Sequence, residues 1–219
     1  MQVLMPNFKR RGGKLPVVIQ SEATREILSL EHATETQWRT TLLTGGVGVH
    51  FVPQNLGVVE MLINCDGTAL VYTVRSFGHP IGLWLNQTPH FEKEDSIVTA
   101  IAQDVSTLEV LMLAYAKRVA WDETMRTGYA TYWKTSSDEL WVKGATSDNK
   151  QRLVRYKTNN QSAALVYEVE PEGHKCACHT DARSCFYRTI GNRQGMPAPH
   201  ATQKDDLPLI EADAARVFW

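Results

Sequence analysis

The chain repeats itself. Residues 20–51 lie over residues 103–134 without a gap. Identical pairs are Gln20/Gln103, Thr24/Thr107, Glu26/Glu109, Leu28/Leu111, Leu30/Leu113, Ala33/Ala116, Trp38/Trp121, Thr41/Thr124, Thr44/Thr127 and Gly45/Gly128. Ten identities in 32 positions are too many for unrelated segments, so the repeat constrains the fold before any single element does. After a 12-residue gap, 64–74 lies over 159–169 with six of 11 positions identical. The chain therefore reads as two related halves, about 15–75 and 96–190. The stretch 76–95 holds Gly78, Pro80, Gly82 and Pro89 and ends in Glu92-Lys93-Glu94-Asp95, which is linker chemistry. Beyond Ile190, Gly191, Gly195, Pro197, Pro199 and Pro208 predict an extended arm over 191–219, packed down by Val217-Phe218-Trp219.

The second half shows the layout of one repeat unit. Val98–Val105 and Val110–Tyr115 are apolar runs of strand length. Lys117–Thr127 carries Ala120, Trp121, Thr124 and Met125 at helical spacing, with Gly128 at the expected stop. Tyr129–Lys134, Leu140–Lys143, Leu153–Lys157 and Ala164–Glu168 read as further strands separated by turn residues. Many strands with few helices predict an α+β fold with mainly antiparallel sheets and flanking helices.

Charge and cysteine usage narrow the function classes. Lys+Arg 23 against Asp+Glu 24 leaves a net charge of -1, which argues against a nucleic-acid or anionic-membrane surface. Lys9-Arg10-Arg11 with Lys14 reads as a solvated arm. No apolar run reaches the length of a membrane span, and the first residues hold no apolar signal region, so a soluble, cytoplasmic protein is expected. Hydrophobic residues at 43% allow a packed core. Of four cysteines, Cys176, Cys178 and Cys185 cluster and Cys65 lies far upstream. In this setting metal binding or catalysis is expected ahead of disulfides, although Cys65 alone would read as a small buried apolar residue.

Three motifs stand in series in the second half: Ala130-Thr131-Tyr132-Trp133, then Leu140-Trp141-Val142-Lys143-Gly144-Ala145-Thr146-Ser147-Asp148-Asn149, then Cys178-His179-Thr180-Asp181-Ala182-Arg183-Ser184-Cys185-Phe186-Tyr187-Arg188. Each has a bland reading alone: a turn, a core tryptophan, a solvated lysine, a structural histidine. Order, spacing and residue types together resemble the phosphoribosyl-AMP cyclohydrolase family, closely over about 97–188 and weakly over about 15–75. The resemblance implies a hydrolase of histidine biosynthesis that opens the purine ring of a nucleotide, with thiolate-bound zinc activating water. It assigns His179 and Lys143 to catalysis. It assigns Trp141, Gly144, Thr146, Ser147, Asn149, Arg183 and Ser184 to substrate binding, Arg183 as a fork for phosphate.

In the family, the zinc site resembles a composite: one cysteine from an Asp-Cys-Asp-x-Asp segment of one subunit and two from the C-terminal motif of the other. Here that segment of the second half is Asn159-Asn160-Gln161-Ser162-Ala163, without cysteine or aspartate. The first half keeps Asn64-Cys65-Asp66-Gly67-Thr68 but has no Cys-His-x₅-Cys motif; His79-Pro80-Ile81-Gly82 stands there. Each half has lost what the other retains. The expectation is a single-chain pseudo-dimer with pseudo-two-fold symmetry. One zinc site would use Cys65, Cys178 and Cys185, and a dead site would lie around Asn160. Cys176 is either a fourth ligand or a bystander. The family's magnesium is doubtful: only Asp66 remains, with Asn64 and Thr68 in place of carboxylates.

The expected partner is a small purine nucleotide, with no nucleic acid and no membrane, in a monomer or weak homo-oligomer. Drift at Lys134-Thr135-Ser136-Ser137 and at Asp181-Ala182, where the family carries arginines, keeps two alternatives open. One is a paralogue acting on another purine nucleotide, and the other is a catalytically silent zinc-containing nucleotide-binding protein. Cys65→Ser should abolish or greatly weaken zinc binding, measured as metal per chain; full stoichiometry in that variant would rule out the composite site.

Overall fold

Two apolar runs set the two sheets. Leu15, Val17, Val18 and Ile19 in one, and Ala100, Ile101 and Ala102 in the other, are fully buried. Runs buried on both faces suit central strands that include parallel pairing. The structure, a computed structural model, describes residues 5–9, 11–48, 56–75, 84–93, 95–159, 161 and 163–190. It divides into two units: the described residues of Met1–Ile81 with those of Phe186–Trp219, and those of Gly82–Cys185.

The elements, in chain order, are β1 (Lys14–Ser21), β2 (Ile27–Thr34), α1 (Glu35–Thr44), β3 (Gly57–Ile63), β4 (Leu70–Arg75), β5 (Trp84–Leu85), β6 (Val98–Asp104), β7 (Val110–Ala116), α2 (Arg118–Thr127), β8 (Thr131–Lys134), β9 (Glu139–Val142), β10 (Gln151–Asn159), β11 (Ala164–Pro171) and β12 (Arg188–Thr189). The first unit holds a five-stranded sheet ordered β12-β3-β4-β1-β2; the second holds one ordered β5-β10-β11-β6-β7, plus the hairpin β8-β9.

The two sheets share their ladder. In each, a hairpin (β1-β2, β6-β7) precedes the helix, and a second hairpin (β3-β4, β10-β11) follows it. β4 then lies parallel to β1, and β11 parallel to β6. The register breaks fall at aligned positions: Ile19/Gln20 against Ala102/Gln103, and Val58/Glu60 against Leu153/Arg155. At the first break, Gln20 and Gln103 each donate their side-chain amide to a carbonyl five residues on, of Arg25 and Leu108. Arg25 and Leu108 both take left-handed backbone, with φ of 59° and 56°. Each edge strand comes from the chain that follows the other half. β12 pairs with β3 and β5 with β10.

The helices start differently and stop alike. Thr34 and Gln37 form a capping box on α1. Lys117 caps α2 without a side-chain bond to the helix; its ammonium reaches Asp95 and Asp138 at 3.0 and 3.2 Å and lies 4.2 Å from the Trp133 ring centroid. Gly45 and Gly128 end the two helices in the left-handed region. Trp38 and Trp121 each enter the core of their own unit, Trp38 beside Phe8 and Trp121 against Tyr156 and Tyr167.

The predicted elements of the second half are present with edges moved by one to three residues, and the sheets are antiparallel apart from the one parallel pair in each. Two expectations are corrected in detail. Trp84 and Leu85, within the stretch read as linker, form β5 because β10 offers an open edge. Residues 186–190 group with the first unit, because Arg188 and Thr189 pair with Ile63 and Leu62. The predicted arm, the motif around His79 and Asn160 lie outside the described residues. Among the described residues no helix is long and apolar enough to cross a membrane.

Glu168 on β11 tests the packing of the second sheet. Its side chain is 2% exposed and meets Arg155 and Lys157 of β10, each at 2.6 Å. Burial alone would raise its carboxyl, but hydrogen bonds from Lys157 and Arg155 outweigh that and hold it below the usual range. A depressed folded-state value means the stabilisation is present above about pH 4, the ordinary carboxylate value, and is lost as pH falls through the depressed one. Glu168→Gln should cost about 2 kcal/mol at neutral pH, less than a fully buried pair because both cations reach solvent. Denaturant midpoints should show that difference shrinking below pH 4.

Candidate active site

Turns and loops at one end of the second sheet carry the chemistry-bearing residues. β9 runs into the loop 143–150, and β11 runs into the turn 172–176. Gly144 makes the first close on itself. It has φ +80°, and a Cβ there would stand 2.3 Å from the Asn149 carbonyl carbon. Gly173, at φ +62°, lets the second turn approach the first; a Cβ there would stand 2.3 Å from Asp148 O. The Glu172 amide donates to Lys150 O at 2.9 Å, and the Cys176 amide donates to Asn149 Oδ1 at 3.5 Å.

Lys143 is held between these turns. It is 6% exposed, and its ammonium donates to Asn149 O at 3.5 Å and Cys176 O at 3.4 Å. Burial pushes its amine below the ordinary lysine value, opposed by the nearby thiols of Cys185, Cys176 and Cys178. Through the Cys176 carbonyl, Lys143 ties the 143–150 loop to the head of the cysteine segment.

The segment 176–185 doubles back on itself. The Ala177 amide donates to Arg183 O and the Cys178 amide to Ala182 O, with Asp181 at φ 61° in the bend. Cys178 is buried and accepts a hydrogen bond from the Thr180 hydroxyl at 3.1 Å. His179 is exposed, with Nδ1 3.9 Å from Cys178 Sγ. The Cys185 amide donates to Leu111 O at 2.7 Å, which adds the end of this segment to the open edge of β7. Cys185 itself packs against the cluster that includes Tyr132.

Two residues expected to bind substrate are engaged elsewhere. The Ser184 hydroxyl is buried and donates to Val110 O at 2.7 Å, so it serves to dock the segment. The Arg183 guanidinium bonds Asp104 at 2.5 Å and Glu109 at 2.9 Å. Burial alone would raise the Asp104 carboxyl, but hydrogen bonds from Ser106 and Thr107 and the Arg183 charge hold it below the usual range. Thr146 and Ser147 are exposed on the loop, Asn149 is buried as its strut, and Trp141 is half-buried against Tyr132 at 5.7 Å. Sequence reasoning missed Asp104 and Glu109. A signal was present in the repeat, since Asp104 aligns with Ser21 in the half that has no Cys-His-x₅-Cys motif.

In the first unit, Cys65 is half-buried in the turn between β3 and β4. Asn64 Oδ1 accepts the amides of Thr68 and Ala69 at 2.8 and 2.9 Å, and Asp66 Oδ1 accepts the Thr68 hydroxyl at 2.6 Å. These oxygens hold the turn together. With one carboxylate and an amide already in use, the set does not make a magnesium cage, so the family's magnesium does not fit here. Asn159 plays the same role in the second unit, accepting the amides of Ala163 and Ala164. The four cysteines are all thiols. Soft sulfur donors, with His179 beside Cys178, suit zinc.

A family model described as phosphoribosyl-AMP cyclohydrolase matches residues 112–187. Similar curated proteins carry that name. The one from Archaeoglobus fulgidus is 48% identical over 97 residues, 44% of this chain and 88% of the relative. The one from Methanothermobacter thermautotrophicus is 46% identical over 138 residues, 63% of this chain and 88% of the relative. The one from Desulfatibacillum aliphaticivorans is 43% identical over 100 residues, 46% of this chain and 79% of the relative.

Gly144→Ala should open the 143–150 loop. The left-handed backbone alone costs a non-glycine residue about 1–2 kcal/mol, and the clash with Asn149 adds to it. Thermal unfolding should fall by several degrees, and hydrogen exchange at the Asp148 amide, which donates to Gly144 O, should rise.

Proposed function

The chain belongs to the phosphoribosyl-AMP cyclohydrolase family, and from that premise we propose that it hydrolyses the purine ring of phosphoribosyl-AMP at a zinc site formed by Cys65, Cys178 and Cys185. The observation that carries this reading is the buried Lys143 ammonium, bonded to the Cys176 carbonyl at the head of the segment that holds Cys178 and Cys185, within the stretch that matches the family.

Ring opening adds one water across a C–N bond of the cyclic amidine. Oxygen goes to carbon, and a proton goes to the departing nitrogen; no electrons are exchanged. Cys65, Cys178 and Cys185 would hold zinc, which when bound would supply a water acidic enough for hydrolysis at neutral pH. His179, exposed beside Cys178, carries the proton between water and ring nitrogen. Lys143 offsets the negative charge of the thiolates and fixes the Cys176 carbonyl. Thr146 and Ser147, exposed on a loop closed by Gly144 and Asn149, offer hydroxyls to the ribose or phosphate.

The participation of Cys65 rests on complementary loss. The first half keeps the cysteine of the Asp-Cys-Asp-like segment, and the second keeps the paired cysteines. The matching ladders, register breaks and exchanged edge strands of the two units support reading the chain as two fused copies. Cys176, whose amide is pinned to Asn149, is read as a bystander to the metal.

The drift at 134–137 and the commitment of Arg183 to two carboxylates favour a second reading, a paralogue that takes another purine nucleotide. Metal content and an absorbance assay of ring opening separate the readings. One zinc per chain with turnover of phosphoribosyl-AMP is the expected result. Zinc with turnover only of other purine nucleotides would establish the paralogue. Zinc with tight nucleotide binding and no turnover would establish a silent binding protein.

A further inference from the structure

Arg183 stands where the family resemblance expects a phosphate contact, but its surroundings serve another end. Its Nη2 donates to Asp104 Oδ2 at 2.5 Å and its Nε to Glu109 Oε2 at 2.9 Å. Asp104 is 2% exposed and is itself fixed by the Ser106 amide and hydroxyl and by the Thr107 amide. Glu109 lies across the same tight turn, where the Asp104 amide donates to the Glu109 carbonyl. The guanidinium is thus bound to a rigid turn between β6 and β7. Two carboxylates already neutralise it, and a phosphate brought to the same group would meet their repulsion.

The other end of the arginine is the cysteine segment. The Arg183 carbonyl accepts the Ala177 amide, the next residue docks through its hydroxyl on Val110 O, and the one after through its amide on Leu111 O. One residue therefore ties the Cys178 side of the bend, the Cys185 side and the sheet. The repeat supplies independent support. The first half lacks the Cys-His-x₅-Cys motif, and at the position of Asp104 it carries Ser21. Of the two carboxylates that receive the arginine, Glu109 is matched by Glu26, but Asp104 is present only in the half that has the Cys-His-x₅-Cys motif.

We propose that Arg183 is a positioning residue: by clamping the 176–185 segment onto Asp104 and Glu109, it holds Cys178 and Cys185 in the geometry a metal requires. The metal arm of this proposal rests on the zinc reading above; the clamp itself does not. The full-length protein as purified is compared with Arg183→Ala, Arg183→Lys and Glu109→Gln. The readouts are hydrogen exchange, zinc affinity by competition with a chromophoric chelator, and steady-state kinetics.

In Arg183→Ala, exchange at the amides of Ala177, Cys178 and Cys185 should rise at least tenfold while the β10–β11 ladder is unchanged. Zinc affinity should fall about tenfold, the scale seen when groups that orient metal ligands are removed. KM for the nucleotide should stay within twofold. Arg183→Lys should recover part of the protection, and Glu109→Gln should show a smaller rise at the same amides. Should Arg183→Ala fail to fold, Glu109→Gln decides, since Glu109 lies 36% exposed at the surface and has no role in a phosphate contact. Unchanged exchange with a raised KM would overturn the proposal and make Arg183 a phosphate contact; unchanged exchange with unchanged KM would also overturn it. A wild-type protein without zinc would remove the functional reading, while the exchange pattern would still decide the clamp.

Discussion

The parallel pairing of β6 with β11 is the contact on which the second unit's functional side chains depend. β6 is buried along almost its whole length and lies between β7 and β11. Its end delivers Asp104, and its neighbour β7 presents the carbonyls of Val110 and Leu111 to the cysteine segment. β11 leads into the turn that carries Cys176, and β10 leads out of the loop that closes over Lys143. A one-residue slip in this ladder would reverse every side chain on the strand. The break at Ala102/Gln103, held by the Gln103 amide on Leu108 O, pins the register at the end where Asp104 has to be placed.

The same ladder in the first unit supports different loops. Its β3-β4 turn keeps Cys65, but Asn64, Asp66 and Thr68 spend their polar atoms on one another and on the turn's own amides. The second unit's corresponding turn uses Asn159 in the same way, without a cysteine. The two sheets thus share a ladder while their turns carry different side chains. Strand positions are constrained by core packing on all sides, and loop positions by whatever the loop must hold.

Charge is handled by pairing rather than by exclusion. Asp104 and Glu168 are almost fully buried carboxylates, and each receives a cation from a more exposed side chain. A buried carboxylate left alone would be costly, so removing the arginine or lysine that meets it costs more than its own exposure suggests. Lys143 is the reverse case, a buried cation whose compensation comes from carbonyls and thiols. The loop, the lysine and the head of the cysteine segment are thus joined through main-chain carbonyls, which motif letters do not show.

The repeat, the α+β class, the helix ending at Gly128 and the strands of the second half were legible in the sequence. They depend on periodicity, turn residues and self-similarity, all local or internal to the chain. The membership of Cys178, His179 and Cys185 in one motif, and the odd position of Cys65, were legible for the same reason. Other features needed the fold. Arg183 lies more than seventy residues along the chain from Asp104 and Glu109, and only the docking of the cysteine segment on β7 brings them together. The exchange of β5 and β12 between sheets was equally hidden, because a two-residue edge strand has no periodicity to read. Residue order alone fixes which chemical groups this protein carries and that two stretches of the chain are similar. Only folding settles which partner each group meets, because the carboxylates that receive Arg183 lie far from it along the chain.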